Sequence, residues 1–550
     1  IKSNSDQPLH TGRLVPIYPE TYGVSSKWIR SRINPLLSQV DTFINDWLPQ
    51  NIIDQEKLIS LKKALKQIHL PEDQKQLDEA RKRLAFDELF LLQLASQKRK
   101  YLWQHKKLSH PLQVNQEKVL DFISNLPFTL TKAQNQSIKE ILKDLGEEQP
   151  MNRLLQGDVG SGKTVVAAAA AYVTYLNNLK SIVLAPTEIL AQQHFKTLSS
   201  TLEPLGLSVE LITSSTSKKI KESISKTKAD IVVGTHALLY RDIPENLGLL
   251  VVDEQHRFGV EQRAKLLKAK KTPHLLAMTA TPIPRTVALS VYGELDLSII
   301  DEMPKGRKSV KTWVVSEDKR QNAYQWIEEQ ISQDDTQAFI VCPLIEESES
   351  DLLSNVRSVE TEYEYLTKKI YKNLSLGLLH GRMKSKEKQK AVEEFKKKTH
   401  QILVSTPVIE VGIDIPNASI ILIESSERFG LAQLHQLRGR VGRGDKQSYC
   451  LLFTSTKQAQ DIKRLKAMET NNSGFKLAEL DLKLRGPGEM YGVKQHGFTR
   501  LKIANFSDQI LIKTTHNHAK ELITKNPTLS NYSPLALKLD NLLEKEIEPN

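Results

Sequence analysis

A chain of 550 residues is too long for one compact core, and its 39% hydrophobic content with a net charge of +12 describes a globular protein of several domains. The basic balance leans toward a polyanionic partner, and the longest small-apolar stretch, Val165 to Leu176, is too short and too interrupted to span a bilayer. Cys342 and Cys450 are the only cysteines, far apart and without a metal-ligand pattern, which argues against a disulfide or zinc scaffold and points to a reducing cytoplasm.

The chain opens IKSNSDQPLH, without an initiator methionine or a secretory signal, and reads as a fragment or a trimmed chain. Residues 1–110 form a predicted helical linker region. Pro71 breaks one helix there, and Glu72 and Asp73 suit the start of the next. Leu77, Ala80, Leu84, Phe90 and Leu94 then mark one face of a helix running to about Lys107, roughly 50 Å long. Its end, KRKYLWQHKK at 98–107, mixes cations with aromatics and suits either a nucleic-acid contact or a solvated helix end.

Short apolar runs alternating with amphipathic helices define a first lobe, 111–303. SIVLAP (181–186), ADIVVGT (229–235), LGLLVVDE (247–254) and HLLAMTAT (274–281) read as buried parallel strands ending in polar or small residues. After the turn-rich MPKGRK comes a second lobe, 304–455, with strands at AFIVCPL (338–344), LSLGLLHG (374–381), QILVST (401–406), SIILIES (419–425) and YCLLF (449–453). KSKEKQKAVEEFKKK (384–398) carries mixed charges and reads as a solvated helix. Residues 456–550 are helical and loop-rich, with a Gly-rich segment, RGPGEMYG, at 485–492.

Three motifs carry chemistry. Gly157, Asp158, Val159, Gly160, Ser161, Gly162, Lys163 and Thr164 fit a phosphate loop: glycines admit backbone N–H groups to the phosphates, Lys163 reaches the outer phosphates, and Thr164 can ligate Mg²⁺. Asp253 and Glu254 leave a buried strand together. Asp253 suits the Mg²⁺ shell, and Glu254 suits orienting and deprotonating water. Arg438, Arg440 and Arg443 fall in a glycine-interrupted segment of the second lobe, and Arg440 and Arg443 are the candidates to reach a transferring phosphoryl group. Only one lobe holds a phosphate loop, so the site is expected at the interface of the two lobes.

The set resembles superfamily 2 helicases, and specifically RecG-type branched-DNA helicases, from about residue 10 to about 510. The resemblance implies two tandem RecA-like parallel-sheet lobes, an α/β fold, with an N-terminal helical region and a C-terminal helical-hairpin domain. LPFTLTKAQ (126–134) resembles the adenine-recognising segment, with Gln134 reading the base edge and Phe128 nearby. APTEILAQQH (185–194) and VGTHALL (233–239) resemble strand-gripping loops, implying DNA contacts at Pro186, Thr187 and Thr235. MTATPIPRT (278–286) resembles the motif coupling hydrolysis to motion through Thr279 and Thr281, and coupling roles are likewise implied for His256 and Gln436. LLHGRM (378–383) and STPVIEVGIDIPNA (405–418) resemble DNA and nucleotide contacts of the second lobe, with His380 and Thr406 on DNA and Asp414 near the nucleotide.

DEQH and Thr279-Ala280-Thr281 separate the chain from DEAD-box RNA helicases. Transcription-repair coupling translocases share DE-x-HRFGV and TATPIPRT, but AELDLKLRGPGEMYGVKQHG (478–497) has the RecG-like form. There Arg485 and Gln495 would be operative in moving DNA. GRLVPIYPETYG (12–23) resembles sequence just after the family's oligonucleotide-binding wedge, so most of that wedge is expected to be missing. The implied function is an ATP- and Mg²⁺-dependent translocase of branched double-stranded DNA (forks and four-way junctions), a monomer in the bacterial cytoplasm at the nucleoid. Single-strand-binding protein is a further implied partner. The competing readings are a coupling translocase and a nucleotide-gated DNA-binding protein with little turnover.

Overall fold

The computed structural model describes residues 14–105, 111–213, 227–235, 238, 244–254, 272–284, 287–288, 293–304, 308–343, 359–407, 415–442, 444–485 and 501–545. The chain folds as two compact units that do not follow sequence order. One contains Ile1–Leu102, Arg285–Glu294 and Gly486–Asn550, and the other contains Trp103–Pro284 and Leu295–Arg485.

The first unit is helical. Helix Leu61–His69 is capped by Ser60, whose hydroxyl accepts from the Lys63 amide, and it stops just before Pro71. The next helix, Gln74–Gln104, has 31 residues and so is about 46 Å long. It buries Phe86, Phe90 and Leu94 in one core with Trp47, Ala519, Leu522 and Leu535, the last three from the C-terminal helices Gln509–Lys525 and Ser533–Lys545. The Phe86 and Phe90 rings lie 5.8 Å apart, and Phe90 stacks on Trp47 at 6.5 Å. Beside them the buried Arg83 guanidinium spends its donors on Asp46, Asp87 and the Ile59 carbonyl, the pairing a buried charge requires.

The second unit holds two all-parallel sheets, as the apolar runs predict. In the seven-stranded sheet the order is β3-β4-β2-β5-β6-β1-β7. These strands are β1 Asn152–Gly157, β2 Lys180–Ala185, β3 Val209–Ile212, β4 Ile231–Thr235, β5 Leu247–Asp253, β6 His274–Thr279 and β7 Asp296–Ile300. The six-stranded sheet has the order β10-β11-β9-β12-β13-β8. It comprises β8 Lys311–Val315, β9 Gln337–Val341, β10 Leu376–Leu379, β11 Ile402–Ser405, β12 Ala418–Ile423 and β13 Tyr449–Phe453. Every residue of β5, β6 and β12 is buried, because helices cover both faces. Val165 to Thr174 are all buried in helix Lys163–Leu176, which packs on the first sheet.

Four strands are not evident in the sequence. β3, β7 and β8 are edge strands, where the apolar run is short or broken by exposed residues such as Lys311 and Trp313. β1 lies inside the sheet between β6 and β7, but its only aliphatic residues are Leu154 and Leu155. The solvated helix expected from 384–398 is helix Ser385–Lys396, but it is amphipathic and anchors Ala391, Val392 and Phe395 in the core of its lobe. After β13, helices Ala459–Thr470 and Gly474–Arg485 form a tight pair joined by Asn471 to Ser473. RGPGEMYG continues beyond the described residues after Arg485. Among the described residues no helix is long and apolar enough to cross a membrane.

Truncating Phe90 removes a fully buried ring shared by the N- and C-terminal helices. Phe90→Ala should destabilise the helical unit by about 3–5 kcal/mol, read as a lower urea midpoint in tryptophan emission.

Candidate active site

β1 delivers Gly157 to the carboxyl edge of its sheet, and the loop that follows turns through Gly160 at φ +79° and Gly162 at φ +83°. A Cβ at Gly162 would be strained at that φ and would overlap the Gln134 side-chain nitrogen. No side chain caps helix Lys163–Leu176 at Gly162; the Val165 amide turns back to the Gly162 carbonyl at 3.2 Å, and the Lys163 and Thr164 amides open the helix toward an anion. Gln134 braces this loop: its Nε2 donates to the Ser161 carbonyl at 2.7 Å, and its Oε1 accepts from the Thr131 amide at 2.8 Å. Both ends of the amide thus engage backbone, while Phe128, 52% exposed, offers its ring to the cleft.

The Lys163 ammonium donates to the carbonyls of Gly157 (2.8 Å) and Asp158 (3.2 Å). Burial lowers its pKa against the opposing pull of Asp253 and Glu254. β5 carries Asp253 to the same edge, where Oδ2 meets His194 Nε2 at 2.7 Å and Oδ1 accepts from the Glu254 amide at 3.0 Å. Burial pushes Asp253 up, but the His194 hydrogen bond and the nearby Lys163 charge hold it below the usual carboxylate range. Glu254 sits in the left-handed region at φ +52°, a strained conformation for a non-glycine residue and one frequent at functional sites. Burial, then repulsion from Asp253, raises its pKa to about 7.

Arg440, just past the second-lobe helix Leu431–Arg438, lines the same cleft as Phe128, Gln134, Lys163, Thr164, Asp253 and Glu254. The cleft has a volume of about 1000 Å³. The Arg440 charge bears on both Lys163 and Glu254. A second link between the lobes joins the segments expected to couple hydrolysis to motion: Gln436 Nε2 donates to Thr281 Oγ1 at 2.9 Å. The Thr281 amide in turn donates to Thr279 Oγ1 at 3.1 Å, and Gln156 holds the Thr281 and Ile283 carbonyls.

The other expected residues lie at strand ends. Pro186 and Thr187 follow β2, where Thr187 caps helix Glu188–Leu202, and Thr235 ends β4. In the second lobe His380 follows β10 with Nε2 3.9 Å from Glu360. Thr406 follows β11 and is buried, its hydroxyl meeting no hydrogen-bond partner among the described residues. Arg485 ends helix Gly474–Arg485. His256, Asp414, Arg443 and Gln495 lie outside the described residues.

Three residues at the site were not singled out from sequence. His194 closes a recognised motif and His435 immediately precedes one, yet nothing in their spacing shows that they would meet Asp253 and Asp158. Lys396, from the helix read as solvated, lines the cleft.

Residues 131–289 match the DEAD/DEAH box helicase family, 318–445 the helicase conserved C-terminal domain, and 470–548 the family described as ATP-dependent DNA helicase RecG, domain 3, C-terminal. An ATP-dependent DNA helicase RecG from Synechocystis sp. is 44% identical over 99% of this chain and 66% of its own length. That of Thermotoga maritima is 44% identical, also over 66% of its own length, so the chain spans slightly under two thirds of both. The Bacillus subtilis RecG helicase is 42% identical over 93% of this chain and 75% of its own length. A solved structure of RecG bound to a three-way DNA junction superposes with a TM-score of 0.75 at 40% identity, covering 92% of this chain and 66% of that one.

The raised pKa of Glu254 makes a prediction with a definite sign. Between the ordinary glutamate pKa of about 4.3 and about 7, the folded chain holds a proton there that the unfolded chain has released, so the contribution of Glu254 to stability falls as pH rises through that window. In metal-free buffer Glu254→Gln should melt above the parent protein at pH 8, with the difference closing by pH 5. Equal melting at both pH values would contradict the burial of this charge beside Asp253.

Proposed function

The chain belongs to the RecG family of ATP-dependent DNA helicases, and from that premise we propose that it is an ATP-hydrolysing motor that translocates on double-stranded, branched DNA. The observation that carries this reading is a single cleft lined by Lys163, Thr164, Asp253 and Glu254 from one lobe and Arg440 from the other. An ATP triphosphate fits the glycine-turned loop, whose helix N-terminus and Lys163 supply positive charge to it. Phe128 gives the base an exposed aromatic face. Thr164 and Asp253 are the residues that would hold Mg²⁺, which when bound neutralises developing phosphate charge.

Glu254 orients and deprotonates the attacking water. Arg440, with Arg443 as a second candidate, stabilises the transferring phosphoryl group from the opposite lobe. Because one group of the site comes from each lobe, nucleotide occupancy favours their closure and product release relaxes it. The Gln436–Thr281 hydrogen bond is placed to register that change. Pro186, Thr187, Thr235, His380 and Thr406 are the proposed DNA contacts. Arg485 and Gln495, in and beyond the helical pair, are proposed to push the duplex.

The substrate class is forks and four-way junctions, in keeping with the three-way junction bound in the related structure. The remaining parts of the proposal are a monomer in the bacterial cytoplasm at the nucleoid, with single-strand-binding protein as a partner.

ATPase assays with and without forked DNA test the reading. The parent chain should be stimulated by DNA, Lys163→Ala should lose hydrolysis while keeping its fold and DNA binding, and Arg440→Ala should lose about 10³-fold in kcat. Hydrolysis by Lys163→Ala at the parent rate, or a parent ATPase indifferent to DNA, would overturn it.

A further inference from the structure

Asp158 sits second in the phosphate loop, but its side chain turns away from the cleft toward the second lobe. Oδ1 lies 3.1 Å from His435 Nε2, and Oδ2 accepts from the Gly474 amide at 3.3 Å. Gly474 is the first residue of helix Gly474–Arg485, the one that leads toward the proposed duplex-pushing segment.

Two glycines make this approach possible. A Cβ on Gly474 would overlap Asp158 Oδ1 and would stand 2.8 Å from the His435 ring. A Cβ on Gly439 would stand 3.0 Å from Val159 Cβ, so the next residue of the loop is also met at close range. Residues 158–159 therefore pack directly against two positions of the second lobe, His435 and Gly439, and against Gly474 in the helical pair that follows it.

The donor pattern orders the junction. Arg438 Nη2 lies 2.9 Å from His435 Nδ1, and a guanidinium has only donors, so Nδ1 accepts and the ring proton resides on Nε2, facing Asp158. Arg438 is itself held by the Met468 and Asn471 carbonyls at the end of the preceding helix Ala459–Thr470. Burial raises the Asp158 pKa, yet the His435 and Gly474 hydrogen bonds outweigh it and keep the carboxyl below its ordinary value. An ionised carboxylate makes the Gly474 hydrogen bond charge-assisted and attracts the His435 Nε2 proton from a ring nitrogen 3.1 Å away.

We propose that Asp158 and His435 are positioning residues that tie the phosphate loop directly to the start of helix Gly474–Arg485, so that nucleotide on the loop is registered by the helical pair without passing through Arg440 or Arg443. The proposal rests on the motor reading above. It gives Asp158 a task distinct from phosphate binding: its backbone belongs to the loop, while its carboxylate belongs to the transmission. The helical pair is gripped from two directions, by Arg438 at its turn and by Asp158 at Gly474. A displacement of the loop by as little as a hydrogen-bond length alters both.

Paired substitutions at His435 test this, because glutamine places a donor near the Nε2 position whereas asparagine reaches only the Nδ1 position. Nucleotide binding is read with a fluorescent ADP, DNA stimulation from ATPase with and without forked DNA, and the state of the helical pair from amide exchange at 474–485 with and without a non-hydrolysable ATP analogue. His435→Asn should keep fluorescent-ADP affinity within about threefold but lose DNA stimulation by about tenfold, the scale of a lost hydrogen bond to a charged group. The analogue should change exchange at 474–485 in the parent and in His435→Gln, and leave it unchanged in His435→Asn and Asp158→Asn. A persisting exchange response in His435→Asn, or equal losses in the Gln and Asn variants, would overturn the tie. Absence of DNA stimulation in the parent itself would instead overturn the motor reading, and the exchange measurement would still decide the tie.

Discussion

Four charges share one cleft: the Lys163 ammonium, the Asp253 and Glu254 carboxylates and the Arg440 guanidinium. Isolated, any of them would be costly to bury, and each is tolerable only because the others are near. Parallel topology makes this convergence possible. β1 and β5 end at one edge of the first sheet, one bringing the phosphate loop and the other the acidic pair. Balance is incomplete by design of the chemistry: Glu254 is held near neutrality in pKa, the range suited to taking a proton from water, whereas Asp253 is kept ionised by His194. Two adjacent carboxylates in one backbone turn thus acquire different tasks from their surroundings.

The second lobe enters this arrangement at several points, all close to one short stretch of chain. Arg440 faces the cleft, Gln436 bonds Thr281, and His435 with Gly474 engages Asp158. Residues 435–440 therefore touch three parts of the first lobe that a bound nucleotide would also contact or move. Such clustering suits a switch better than a permanent interface, since a small shift at the phosphates changes several bonds together.

Much of this was legible in the sequence because the chemistry is local. The phosphate loop is eight contiguous residues, the acidic pair follows a wholly apolar strand, and the arginines fall among glycines that break a regular helix. Central strands such as β5 and β12 were legible for the same reason, as both faces are buried and the apolar run is continuous. Three of the four edge strands were not: β3, β7 and β8 each bury too little to leave a run. Contacts between remote positions were also hidden. His194 meets Asp253 across 59 positions, and Asp158 meets Gly474 across 316, so no window of sequence contains either pair. Gln134 shows a subtler limit, since its segment was recognised and its bond to the Thr131 amide is a local capping box, but its bond to the Ser161 carbonyl depends on tertiary placement. Nor does sequence order reveal that the N-terminal helices share a core with the C-terminal ones, joined through Phe86 and Phe90.

A structure of the chain trapped with Mg²⁺, ADP and a fluoride mimic of the transferring phosphoryl group addresses the shared cleft most directly. The expected result is the Arg440 guanidinium and the Lys163 ammonium on the same phosphoryl mimic, with Glu254 on the in-line water. A guanidinium directed to solvent, with the mimic held by the first lobe alone, would contradict a site completed by both lobes.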